Sequence, residues 1–233
     1  MAQAVTPPNV GHADPAIAVA RTQEDVVVGN RIVRHTYVSR VMHWVVGTSF
    51  ILCLLSGLPI WTPIFGWMAP LFGGLQVCRW LHPFLGVLFS VGLLWMAAAW
   101  WSQMEMSARD REWLSPAYFA KYLRFESTDP ETGKYNGGQK ALFWLALLGG
   151  AALFLSGLVL WFPTTFPQFL REISWLLHDV AFIAFFLLII GHVYLGIVEP
   201  GTFESMVDGT VSKPWAKLHH PRWYRDVTGD QSK

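Results

Sequence analysis

The chain has 233 residues, 53% of them hydrophobic and only 14% charged, with 13 Trp and 16 Phe. That balance points away from an ordinary soluble domain and toward a protein that crosses a membrane several times. A formal net charge of +1 leaves no global basic field for nucleic acid, and Cys53 and Cys78 alone are too few for an iron–sulfur cluster or a structural zinc site.

Taken in order, residues 1–35 read as a polar, Ala/Pro-containing tail with little to bury and without the apolar core of a signal peptide. A membrane region over 36–200 then carries four long apolar segments, at about 41–60, 81–101, 141–162 and 175–198. Each has about 20 residues or more, enough for a helix to span a hydrocarbon core of about 30 Å. Pro59, Pro63 and Pro70 close the first segment, and Pro163 and Pro167 close the third. In the loop after the second segment, Ser115-Pro116 forms an N-cap and first-turn pair. The aromatic-rich Ala117–Phe125 stretch after it reads as a short helix at headgroup level or against a partner. Lys134-Tyr135-Asn136-Gly137-Gly138-Gln139-Lys140 leads into the third segment as a helix-entry turn. Residues 201–233 form a basic tail. Cys53 and Cys78 read as apolar packing residues, and with no C-x-x-C-H there is no c-type haem attachment.

Charge sets the expected orientation. Arg21, Arg31, Arg34 and Arg40 precede the first segment, and Arg109, Arg111, Lys121, Arg124, Lys134 and Lys140 lie between the second and third. Lys213, Lys217, Arg222, Arg225 and Lys233 follow the fourth, whereas the other two loops hold only Arg79 and Arg171. Fifteen against two is a positive-inside signal that puts both termini in the cytoplasm.

The last segment, Trp175–Val198, carries His178 and His192, which are 192 − 178 = 14 residues apart. At 1.5 Å and 100° per residue this is about 21 Å along one helix, within about 40° of one face. Ionisable groups inside a membrane are costly and point to function. Orientation sorts the intramembrane histidines by depth: His43 with His192 near the inner surface, His82 at the start of the second helix with His178 near the outer one. A six-coordinate haem iron needs an imidazole on each side of its plane, and bundle cores hold cofactors between facing helices. Gly47, Gly86, Gly191 and Gly196, each within four residues of one of these histidines, offer room for a flat macrocycle. A zinc site and a proton relay are the other readings. Zinc wants three or four ligands close together, and a relay wants more intramembrane carboxylates than this chain has. His12, His35, His219 and His220 read as interfacial or partner-facing, and Arg40 and Arg79 as topology signals or counter-charges to haem propionates.

Four motifs carry a family resemblance: R-x-x-H-W at Arg40–Trp44, L-H-P-F-x-G at Leu81–Gly86, G-K-Y-N-x-G-Q-K at Gly133–Lys140, and W-A-K-x-H-H-P-R-W-Y-R at Trp215–Arg225. From Arg34 to Asp226 the chain resembles the gamma subunits, di-haem cytochromes b of the b556 type, of membrane-bound respiratory formate dehydrogenases. The resemblance implies an all-α membrane protein: a four-transmembrane-helix bundle binding two b-type haems, both termini cytoplasmic, in a bacterial inner membrane. It makes His82 and His178 the axial ligands of an outer haem and His43 and His192 those of an inner one. It also implies a site for menaquinone or ubiquinone at Asn136, Gly138, Gln139 and His192.

As the resemblance has it, formate is oxidised by a molybdenum or tungsten alpha subunit, and an iron–sulfur beta subunit passes electrons to this chain, which has no formate-oxidising site of its own. The two-histidine last helix is shared with cytochrome b subunits of nickel–iron hydrogenases. Service to a hydrogenase or another periplasmic dehydrogenase is therefore the rival reading. A haem-free transporter or structural anchor is a more distant one.

Overall fold

The computed structural model describes residues 14–112, 114–123 and 131–230, with only the backbone of Phe119, Tyr122 and Leu123. Expectations for residues 1–13, including His12, and for Arg124, Phe125 and Lys233 lie outside the described residues. The elements in order are α1 (Pro15–Val19), β1 (Val26–Val28), β2 (Arg31–Val33), α2 (Tyr37–Trp61), α3 (Leu75–Trp100), α4 (Ala108–Glu112), α5 (Pro116–Leu123), α6 (Gly137–Trp161), α7 (Gln168–Val198), α8 (Thr202–Val207), β3 (Thr210–Ser212), α9 (Lys213–His219) and α10 (Pro221–Thr228). Segments of 3-10 helix occupy Pro63–Phe72 and Trp101–Met104.

The expected four-span helical architecture holds: α2, α3 with its 3-10 extension, α6 and α7 are long and apolar enough to cross a membrane. The helices overrun their apolar segments. α3 begins at Leu75 and α7 at Gln168, because backbone hydrogen bonding propagates a helix past the point where its side chains turn polar. On α7 that polar first turn is marked by a Gln168–Glu172 side-chain bond of 2.8 Å. Pro59 lies inside the last turn of α2 rather than beyond it.

The chain divides into two compact units. The helical unit consists of Met42–Ala99 and Trp144–Ile190, and a sheet unit holds the described residues outside those ranges. The core of the helical unit is an aromatic triad. Phe50 of α2, Phe89 of α3 and Phe185 of α7 have ring centroids 5.0 to 5.7 Å apart. Val46 and Leu93 complete the buried cluster. α6 joins it through glycine: a Cβ at Gly149 would lie 2.7 Å from the Phe185 ring. Leu94, Leu148, Leu155 and Leu187 point outward and are more than half exposed, as lipid-facing positions require.

The sheet unit corrects the reading of both tails. Residues 14–35 are folded: β1 pairs antiparallel with β2, and β2 with β3. Gly29, with φ +59°, opens the two-residue hairpin turn. Side chains alternate along β2. Val33 packs on Ala16, Val19, Ala20 and Val28, while Ile32 packs on Val211, Ala216, Trp223 and Val227. Arg31 bridges Asp14 and Asp208 at 2.8 Å each. The apolar residues of each tail, too few to form a core alone, thus bury one another.

Candidate functional site

His82 and His178 come together inside the helical unit. Their ring centroids are 6.3 Å apart, with planes at 76°. His82 lies about two turns into α3 rather than at its start, because α3 begins at Leu75. Its Nδ1 is 3.0 Å from the Cys53 carbonyl oxygen. A carbonyl only accepts, so Nδ1 carries the proton and Nε2 keeps its lone pair. His178 Nδ1 is 2.9 Å from Ser156 Oγ. The Ser156 hydroxyl shares its single proton between the Ala152 and Leu153 carbonyls, at 2.6 and 3.2 Å, so its oxygen accepts from Nδ1–H. Both imidazoles are therefore anchored through Nδ1, which leaves Nε2 of each as a metal-binding atom. Cys53 is more than a packing residue, with Sγ 3.5 Å from His82 Nδ1, while Cys78 is buried as expected.

The glycines that touch these rings are not those singled out by sequence distance. A Cβ at Gly57 would lie 2.8 Å from His82 Cε1, and one at Gly157 would lie 3.2 Å from His178 Cε1. Gly47, Gly191 and Gly196 have nothing within 4 Å of an added Cβ, and Gly86 meets only Cys53 Sγ at 3.9 Å. His43, on α2, stands edge-on to Trp44 at 5.4 Å. His192 lies on α7 less than two turns before Val198. Arg40 is buried and donates through Nη1 to the Val207 carbonyl, whereas Arg79 is exposed. Among the described residues no three His, Cys, Asp or Glu side chains cluster, a set that a zinc site would need.

The loop motif and the C-terminal motif meet in the sheet unit. Arg34 is 2% exposed, its guanidinium 4.9 Å from the Trp215 ring centroid and 5.8 Å from that of Trp223. Its Nη2 donates to the Lys134 carbonyl at 2.8 Å. Burial pulls its pKa down to about 10, so it stays charged at neutral pH. His220 Nδ1 bonds the Gly133 carbonyl at 2.6 Å, and Trp223 Nε1 donates to Asp25 at 2.8 Å. His35 and His220 are buried, at 3% exposure each, and His219 pairs with Glu199 at 3.0 Å. These three are structural in this fold rather than partner-facing. Arg34, His220 and Trp223 tie down the loop that leads into α6, through the Lys134, Gly133 and Thr132 carbonyls.

At that entry Asn136 and Gln139 form a reciprocal capping box. Gln139 N–H donates to Asn136 Oδ1 at 2.8 Å, and Asn136 N–H donates to Gln139 Oε1 at 3.0 Å. Gly138 is exposed beside them. A cavity of about 340 Å³ in the same unit has Asp25, Gln103, Lys134, Tyr135, Lys140 and Trp223 in its described lining, without Asn136, Gly138 or Gln139.

Comparison with known proteins places this arrangement. Residues 34–209 match the family described as prokaryotic cytochrome b561. The chain belongs to the prokaryotic cytochrome b561 family. It is 37% identical over 202 residues to the "Formate dehydrogenase, cytochrome b556(fdo) subunit" of Escherichia coli, covering 84% of this chain and 93% of that protein. It is 34% identical over 206 residues to the nitrate-inducible cytochrome b556(Fdn) subunit of the same organism, covering 87% and 94%. The cytochrome b556 subunit of Haemophilus influenzae is 32% identical over 199 residues, covering 84% and 83%.

As a cytochrome b561-family membrane protein, the chain binds haem b. The residues present suit that group. Imidazole–metal bonds of about 2 Å put two rings on opposite sides of one ion roughly 6 Å apart between centroids, close to the 6.3 Å observed. Both rings are neutral donors of the kind that axial haem ligation uses.

Proposed function

We propose that this chain is the cytochrome b subunit of a respiratory formate dehydrogenase complex, binding two b-type haems and delivering electrons to quinone. His82 and His178 are the axial ligands of the outer haem, and His43 and His192 those of the inner one. The observation that carries the reading is the His82–His178 pair, two imidazoles anchored through Nδ1 with rings 6.3 Å apart. Relatives named as formate dehydrogenase subunits over more than four-fifths of both chains support the choice of complex.

Bound haem supplies one-electron redox chemistry at its iron. The protein contributes fixed imidazole orientation, a dry apolar surround and the path's direction. Both termini face the cytoplasm, and the complex sits in a bacterial inner membrane. An iron–sulfur beta subunit and a molybdenum or tungsten alpha subunit oxidise formate on the outer side and feed the outer pair. Menaquinone or ubiquinone is reduced on the cytoplasmic side at Asn136, Gly138, Gln139 and His192. The capping box occupies the side-chain amide oxygens of Asn136 and Gln139. Their NH₂ groups therefore remain as donors for a quinone carbonyl.

The test is kinetic. In the purified complex, Asn136→Ala leaves the haems reducible by formate but slows quinone reduction about tenfold, the loss expected for one hydrogen bond. Unchanged quinone kinetics would remove Asn136 from the site.

A further inference from the structure

The segment L-S-G-L-x-x-W occurs twice, at Leu55–Trp61 in α2 and Leu155–Trp161 in α6, at an offset of 155 − 55 = 100 residues. In both copies the serine is buried and bonds the carbonyl three residues earlier, Ser56 to Cys53 at 3.0 Å and Ser156 to Leu153 at 3.2 Å. In both, the glycine lies beneath an imidazole: Gly57 beneath His82, Gly157 beneath His178. In both, the tryptophan packs edge-on against the helix that carries the other histidine. Trp61 meets Phe182 of α7 at 5.6 Å, and Trp161 meets Phe84 of α3 at 5.3 Å. A near two-fold relation thus exchanges α2 with α6 and α3 with α7. In both, the carbonyl three residues before the serine bonds the imidazole, Cys53 for His82 and Leu153 for His178. The copies differ at the serine: Ser156 Oγ also stands 2.9 Å from His178 Nδ1, whereas no contact between Ser56 and His82 occurs among the described contacts.

We propose that the two L-S-G-L-x-x-W segments are matched imidazole seats that fix ring orientation and proton position at His82 and His178, with Ser156 the positioning residue for His178. The inference rests on the reading of these histidines as outer-haem ligands. The glycines let each ring lie against a helix backbone, and a side chain there would displace it. An oxygen accepting from Nδ1–H makes Nε2 a stronger donor and favours the oxidised iron. Ser156→Ala therefore raises the outer midpoint potential, and Ser156→Thr, which keeps the hydroxyl, restores it. Ser56→Ala shifts the potential less, because the Ser56 hydroxyl reaches His82 only through the Cys53 carbonyl that both bond.

The experiment is redox titration of the purified membrane complex, with haem content by pyridine haemochrome and low-spin EPR, whose anisotropy follows the angle between the imidazole planes. The expected result is full haem content in all three serine variants and a positive shift of one potential that is largest in Ser156→Ala. If the alanine variant does not assemble, Ser156→Cys, of similar size but a poorer acceptor, gives the same shift. Unshifted potentials and EPR in Ser156→Ala or Ser156→Cys, or equal shifts in Ser56→Ala and Ser156→Ala, overturn the proposal. His178→Ala retaining both haems overturns the ligand reading beneath it, a separate outcome.

Discussion

Histidines inside apolar helices are conspicuous, because a polar ring in that setting has few ordinary uses. His82 and His178 were therefore legible as a pair before any contact was known. Their seats were not. Gly57 and Gly157 lie far in sequence from the rings they underlie, and only the register between helices brings them there. His220 was misread for the opposite reason. A basic, aromatic stretch resembles an exposed tail until its partner loop is in place. Burial, and next to it the Arg34 charge, holds the His220 pKa well below its ordinary value. An imidazole neutral when folded and titrating near 6.5 when unfolded binds more protons unfolded, so its contribution is complete above pH about 6.5 and is lost as pH falls through the lower folded value. Burial also lowers the His219 pKa, against the pull of Glu199. Hydrogen-exchange protection factors in α9 and α10, with the intrinsic rate at each pH divided out, are expected to be about tenfold lower at pH 5.5 than at pH 7.5, and His220→Gln is expected to flatten that dependence. Equal protection factors at both pH values would contradict the structural role given to this ring.

At the scale of elements, hydropathy located the four spans but not their ends. Apolar side chains report contact with lipid or core, whereas helix length follows backbone hydrogen bonding and the caps that stop it. The Asn136–Gln139 capping box sets the start of α6, and no apolar pattern encodes that. The small sheet was hidden for a related reason. Its strands are three residues each and pair across most of the chain, with Ile32 opposite Val211. Packing between the long helices depends on glycine at particular places. Gly149→Ala would set a Cβ 2.7 Å from the buried Phe185 ring, and a packed aromatic triad has little room to retreat. The expected cost is about 1–3 kcal/mol, read as a lower thermal midpoint of the purified complex. Gly66→Ala, where an added Cβ meets nothing within 4 Å, is the control and is expected to leave that midpoint unchanged.

Across the whole molecule, the proposed function makes two histidine depths and a charge asymmetry into a conductor with direction. The helical unit holds one complete imidazole pair, and the sheet unit binds the chain's two ends to the loop that begins α6. The chain matches the prokaryotic cytochrome b561 family over residues 34–209, a range that includes all four proposed ligands and the loop motif.

The central claim is that His82 and His178 hold one of two b-type haems. The most direct measurement is haem stoichiometry in the purified complex, by pyridine haemochrome, for the native chain and for His82→Ala and His178→Ala. Two haems per chain are expected in the native protein and one in each variant, with formate no longer reducing the haem that remains. Two haems retained in either variant would contradict the account.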